Sequence, residues 1–194
     1  PNADFNGTDS FVVEVSDGAL SGLITIDVTV NSVNDAPIIN DGNATLALSA
    51  TEDTPTSFTL TSLTATDVDT SSSGLTWSID TNAPHGLAAI SGSGASPSTF
   101  SYLPDSNYTG SDNFAVLVSD GDKNDTIAVN LTVNNVNDGP VINDGNATVN
   151  LTVIEDTSTS FTLTSLTAID VDTASGLLVW SVDSIASHGV ATVS

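Results

Sequence analysis

The chain has 194 residues, with 24 acidic side chains against a single Lys or Arg, for a formal net charge of −23. Binding to phosphate backbones and anionic lipid surfaces relies on Lys and Arg, so this balance argues against nucleic acid and membrane surfaces as partners. There is no cysteine, which removes disulfides, thiolate nucleophiles and zinc–thiolate centres, and no apolar run is long enough for a membrane-spanning helix.

From the N-terminus on, apolar residues alternate instead of recurring at helical spacing. FVVEV (11–15) and LITIDVTV (23–30) read as a first pair of strands, with SDG (16–18) between them. A linker-like VNDAP follows at 33–37. TLALS (45–49), FTLTSL (58–63), LTWSI (75–79), FSYL (100–103), FAVLV (114–118) and IAVNLTV (127–133) read as further strands. NDGN, SSSG, NAPHG, SGSGASP and SDGD punctuate them as turns. About seven short strands per roughly 100 residues point to an Ig-like β-sandwich. Trp77 belongs in its core, with Phe58, Phe100, Tyr102 and Phe114. The apolar share of 39% is too high for a disordered acidic tail.

The elements then return. VNDGP (136–140) echoes VNDAP (33–37) at an offset of 103 residues, and EDT, FTLTSLTA, DVDT, Trp and HG recur at the same offset. Residues 36–91 and 139–194 agree at 36 of 56 positions, and 1–35 and 104–138 at 16 of 35. A period this long matches a small domain rather than a solenoid repeat of roughly 20–50 residues. The expected organisation is the C-terminal part of one repeat (1–35), one complete repeat (36–138) and the N-terminal part of the next (139–194). A register that opens and closes in mid-repeat predicts a longer protein in both directions.

The acids sit at fixed repeat positions in turn-like contexts, which suits ligands for a hard cation. Ca²⁺ takes six to eight oxygens from carboxylates, amides and main-chain carbonyls. Alternate residues of an extended segment face the same side, so Asp67 and Asp69, or Asp170 and Asp172, can address one ion. An exposed turn is the plain alternative for any one such pair; recurrence of the pair and the scarcity of cations favour the ion. Neither DVDTSS nor DGDKND satisfies an EF-hand loop. His85 and His188 share one repeat position, and a turn or packing role suits them better than catalysis. Seven N-x-S/T sites (Asn6, Asn43, Asn107, Asn124, Asn130, Asn146 and Asn150) are slightly more than chance provides and are weak support for a glycoprotein.

EDT (52–54), DVD (67–69), PHG (84–86), YLPDSNYTGSDNFAVLVSDG (102–121) and VNDGP (136–140) together resemble the tandem cadherin-like repeats of large bacterial and archaeal surface proteins. The resemblance covers the whole chain and implies an all-β fold of tandem Ig-like, cadherin-like sandwiches. It also implies Ca²⁺ clamped between beads. At the junction after 138 the implied ligands are Glu52, Asp105 and Asp112, then Asn137 and Asp138, then Asp170 and Asp172. At the earlier junction they are Asn34 and Asp35 with Asp67 and Asp69. The expected role is a non-enzymatic, calcium-binding extender, adhesive module or filament on the outside of a cell. Calcium, neighbouring repeats or further copies of the chain, and a surface or glycan target are the expected partners. The competing reading is a spacer or carbohydrate-binding module of a secreted enzyme, which an exposed Trp would favour.

Overall fold

The structure, a computed structural model, describes residues 1–40, 45–59, 61, 63–142, 148–161 and 166–193. The chain divides into two compact units, 1–134 and 135–194. No α-helix occurs among the described residues; Ser72–Gly74 and Ser175–Leu177 each form a single 3-10 turn.

The first unit opens with an antiparallel hairpin of β1 (Gly7–Ser16) and β2 (Ser21–Val30). The bead that follows contains β3 (Ile38–Ile39), β4 (Thr45–Thr51), β5 (Thr56–Ser57), β6 (Ala65–Thr66), β7 (Thr76–Thr81) and β8 (Gly86–Ser91). β9 (Thr99–Pro104), β10 (Gly110–Ser119) and β11 (Asn124–Asn134) complete it. One sheet has the order β4-β11-β10-β7, with β11 and β4 parallel; the other has the order β5-β9-β8; β3 and β6 form a small clip. The bead is an Ig-like sandwich.

Two-residue alternation produces the core. Along β11, Ile127, Val129, Leu131 and Val133 are buried while the residues between them face out, as the period of a half-buried strand requires. Phe114, Val116 and Val118 of β10 do the same, and Phe100 and Tyr102 meet them from β9. Trp77 is 4% exposed, and its indole N–H donates to Gly94 O at 3.0 Å.

The expected strand over 58–63 begins earlier than its apolar pattern suggests. Among the described residues of 56–63 only Thr56–Ser57 is strand, with the Phe58 N–H donating to Phe100 O at 2.9 Å; Leu60 and Ser62 lie outside the described residues. β8 (86–91) has no counterpart among the expected strands; its burial alternates, but Gly86 and Ala88 face in while Leu87 faces out, so the apolar pattern of the sequence does not announce it.

The second unit contains β12 (Val141–Ile142) paired with β13 (Ala168–Ile169). Residues 148–154 and 179–184 are the repeat equivalents of β4 and β7, yet none of them is strand. In the bead, β4 pairs with β11 and β7 with β10. Residues 139–194 contain no equivalent of those partners. The same sequence pattern is thus strand in one unit and not in the other.

Candidate metal centre

One hydrogen-bonded device is built twice from the repeated motifs. In the first unit the Asp35 N–H donates to Asp69 Oδ2 at 2.7 Å, and Asn34 Nδ2 donates to Asp35 O at 3.0 Å. Asp67 Oδ1 accepts the N–H groups of Asp69 (2.8 Å) and Thr70 (2.7 Å). In the second unit Asp138 N–H donates to Asp172 Oδ2 at 2.6 Å, and Asn137 Nδ2 to Asp138 O at 2.6 Å. Asp170 Oδ1 accepts from Asp172 (2.9 Å) and Thr173 (2.7 Å). The clips β3–β6 and β12–β13 stand behind the two devices in the same register.

The chemistry follows from the short Asp side chain. It folds back on its own backbone two and three residues on, making an Asx turn that fixes the carboxylate. One oxygen of Asp67 is spent in this way. The other, Oδ2, is buried and has no hydrogen-bond partner. A cleft of about 200 Å³ in the first unit is lined by Asp4, Phe5, Asn31, Val33, Asp35 and Asp69. Asp4 is therefore a carboxylate that the repeat pattern did not single out; its repeat equivalent, Asn107, shares its left-handed backbone (φ 62° and 57°).

The linker is also tied to a turn 86 residues away. Asn34 Nδ2 donates to Asp120 Oδ2 at 2.8 Å, and the ammonium of Lys123, the chain's one cationic side chain, reaches Asn34 O. The recurring SDG forms this turn. Asp120 Oδ1 accepts from Asp122 and Lys123, each at 2.7 Å, as Asp17 Oδ1 accepts from Ala19 and Leu20 in the hairpin. The Asn34 amide, then the Asp122 and Lys123 N–H groups, hold the Asp120 carboxyl below its ordinary range. Nothing local in the sequence announces the tie to Asn34.

The remaining assigned acids lie toward the other end of the bead, separated from the SDG turn by β11, whose 11 residues span about 36 Å. Glu52 follows β4, is 1% exposed, and its N–H donates to Asn134 O at 3.0 Å. Asp53, left-handed at φ 56° like its equivalent Asp156 at 59°, accepts the Asn107 N–H at 2.9 Å. Asp105 is exposed, and its N–H donates to His85 O.

Asp112 is placed differently from the other acids. It is 3% exposed; its Oδ2 accepts from Tyr102 OH (2.5 Å) and from the His85 N–H (3.1 Å), and its Oδ1 from the Asn113 N–H (2.8 Å). These bonds hold the β9–β10 end of the core together. They also account for HG: the His85 backbone caps Asp112 and its ring stacks on Tyr108 at 4.2 Å, while a side chain at Gly86 would strike Tyr102 and Leu103 O.

Burial first, then the Asp112 carboxylate, holds the Tyr102 phenol well above its ordinary value. A raised folded value means the stabilisation is complete below the unfolded value of about 10 and is lost as pH rises beyond it. Tyr102→Phe leaves Asp112 buried with one donor fewer, a cost of about 1–3 kcal/mol at neutral pH. Urea unfolding near neutrality and at about pH 11 checks this: wild type should lose more stability between the two than the variant. Equal losses would remove the phenol from the account.

Of the glycosylation sequons, Asn43 and Asn146 lie outside the described residues; Asn6, Asn107, Asn124, Asn130 and Asn150 are exposed. No helix among the described residues is long and apolar enough to cross a membrane.

Residues 34–132 match the family described as bacterial Ig domain. Among solved structures, the chain is similar to protocadherin gamma B2 extracellular cadherin domains 1–5, with 15% identity, 88% of this chain and 33% of that one, and a TM-score of 0.47. It is similar to the first two cadherin domains of human protocadherin-24, with 17% identity, 69% and 68% coverage and a TM-score of 0.44. It is also similar to an endo-fucoidan hydrolase of glycoside hydrolase family 107, with 24% identity, 70% and 20% coverage and a TM-score of 0.42. The chain thus spans a fifth of that hydrolase and a third of the five-domain protocadherin. A search of curated proteins finds no significant match.

Proposed function

This chain belongs to the bacterial Ig domain family, and from that premise we propose that it is a calcium-stiffened spacer of a large extracellular surface protein. The supporting observation is Asp67. Its Oδ1 is committed to the Asx turn, and its Oδ2 is buried without a hydrogen-bond partner. An ionised oxygen removed from water and left unpaired is costly. A hard cation would supply the missing interaction, and the side chains of the device, Asp67, Asp69, Asp35 and Asn34, offer oxygen ligands, as Ca²⁺ prefers.

In this reading Asp67, Asp69, Asp35 and Asn34 hold the ion, and Asp4 lines the cleft to which Asp35 and Asp69 belong. Asp170, Asp172, Asp138 and Asn137 do the same in the second device. The ion neutralises carboxylates that otherwise repel one another. The chain's residues orient the ligands: the Asx turns aim the D-x-D carboxylates, and the backbone bonds Asp35–Asp69 and Asp138–Asp172 bring the linker to them. Glu52 and Asp105 are acids that the repeat pattern contributes from the bead 36–138. Asp112 is left out of the set, since its oxygens already accept from Tyr102, His85 and Asn113. Weak oxygen sites of this kind fill in a calcium-rich exterior, the setting this reading implies. The sugar-binding alternative loses the aromatic platform it needs from the complete bead, because Trp77 is inside.

Pro140 restricts its own φ and biases Gly139 toward extended backbone, so the linker is stiff and the ion locks its acids. Small-angle scattering of the chain should give a longer, narrower particle in calcium than in chelator. Asp138→Ala should keep the chelator dimensions in both. Equal dimensions in all three cases would reduce VNDGP to a plain linker.

A further inference from the structure

The linker that enters the complete bead is fastened to the strand by which the chain leaves it. Asn34 Nδ2 donates to Asp120 Oδ2 at 2.8 Å, the Lys123 ammonium donates to Asn34 O, and the Ile39 N–H donates to Asp125 Oδ2 at 2.9 Å. Asp120 and Lys123 lie in the turn between β10 and β11, and Asp125 is the second residue of β11, whose last residue is Asn134. Each bond joins one ionised group to one neutral group, the stronger kind of hydrogen bond. The Asn34 amide is also the first cause of the low Asp120 range, so this acceptor stays ionised into acid. Pro37 and Ile39 are fully buried, so the segment is seated as well as tied. The repeat does not spell the fastening. Asp120 has Asp17 as its equivalent, but Lys123 and Asp125 correspond to Leu20 and Gly22. These bonds therefore belong to this bead and not to the shared pattern.

Tension gives the arrangement a use. A pull between the linker and residue 135 enters at Asn34 and leaves at Asn134. With the fastening closed, it passes from the linker into the head of β11 and then along one covalent strand to the exit. The rest of the sandwich is off that path. With the fastening open, the pull runs down the covalent chain into β4. β4 is parallel to β11, from Thr45 with Ala128 to Thr51 with Asn134. The two strands are then drawn in opposite directions along their axes, and the evenly spaced bonds of a parallel ladder are loaded together in shear. We propose that Asn34, Asp120, Lys123 and Asp125 form a force-bearing latch that shields the β4–β11 ladder from tension until it opens. Positions 123 and 125 then set how much load one bead of a string carries before its neighbours.

The latch holds no ion, and its test is run in chelator, so that it succeeds or fails apart from calcium. The chain has no cysteine, so two introduced thiols define the points of pull. Handles at Ser32→Cys and Asn135→Cys put the latch on the load path; handles at Ser73→Cys and Asn135→Cys leave it off. All three positions are exposed. Lys123→Met with Asp125→Ala opens the latch and leaves Asn34, a proposed ligand, in place. Lifetimes of the bead are read at constant force in a single-molecule trap. A general loss of stability shortens them alike in both geometries. The latch predicts an extra shortening of roughly tenfold in the first geometry, the factor that one hydrogen bond to a charged group carries in a rate. Lys123→Met alone, at an exposed position, should show the same contrast to a smaller degree, and it serves if the double variant does not fold. Shortening no greater in the first geometry than in the second overturns the proposal.

Discussion

Trp77→Ala should lower the stability of the complete bead by about 3–5 kcal/mol, the usual range for emptying an aromatic site in a packed core. A bead near 100 residues shifts its Tm by roughly 4–8 °C per kcal/mol, so the melt should fall by more than about 12 °C. The loss has three sources. The ring is 4% exposed, its indole N–H satisfies Gly94 O, and the hole left behind faces β10, where Val118 is its strand partner. Trp180 supplies a control within the same molecule. It has the same repeat position but is 36% exposed, and it lies in a segment without strand. Trp180→Ala in chelator should change the main melt by no more than about 0.5 kcal/mol, as surface substitutions do. Differential scanning calorimetry of both variants decides. Equal losses would mean that burial, and not repeat position, has been misassigned.

Asp67→Asn should reverse its effect with calcium. The amide keeps an oxygen that can close the turn to Asp69 and Thr70, but it carries no charge where Oδ2 now sits. In chelator the substitution removes a buried, unpartnered anionic oxygen, so the variant should melt at or above wild type. In calcium the order should invert. Ligand binding stabilises by about 2.7 kcal/mol at a hundred times Kd, worth about 10–20 °C for a bead of this size, and the variant should lose that increment. Magnesium should give little of it, since it demands a small octahedral shell and keeps its waters. Melts that do not cross would make Asp67 a turn residue alone.

How much of this was legible depended on whether the determining contact is local. The strands of β10 and β11 were plain in FAVLV and IAVNLTV because alternation is written in adjacent residues. The D-x-D turns were legible for the same reason: Asp67 bonds its own backbone within three residues. Residues 86–91 were missed because β8 takes its identity from β9, and only Ala88 is fully buried along it. The Asn34–Asp120–Lys123 tie and the Tyr102–Asp112–His85 bridge join distant residues and leave no periodic trace. That bridge also places Asp112, expected as a ligand from its place in the motif, in the core. Residues 148–154 and 179–184 show the limit from the other side. They carry the alternation of 45–51 and 76–81 without forming strand.

Calorimetric titration of calcium into the intact chain tests the central claim most directly, because it reports the ion and not its consequences. The account predicts saturable binding to wild type, partial loss in Asp67→Asn or Asp170→Asn, and loss from both D-x-D devices when the two substitutions are combined. An isotherm in the double variant indistinguishable from wild type, or no heat beyond dilution in any of them, would contradict it.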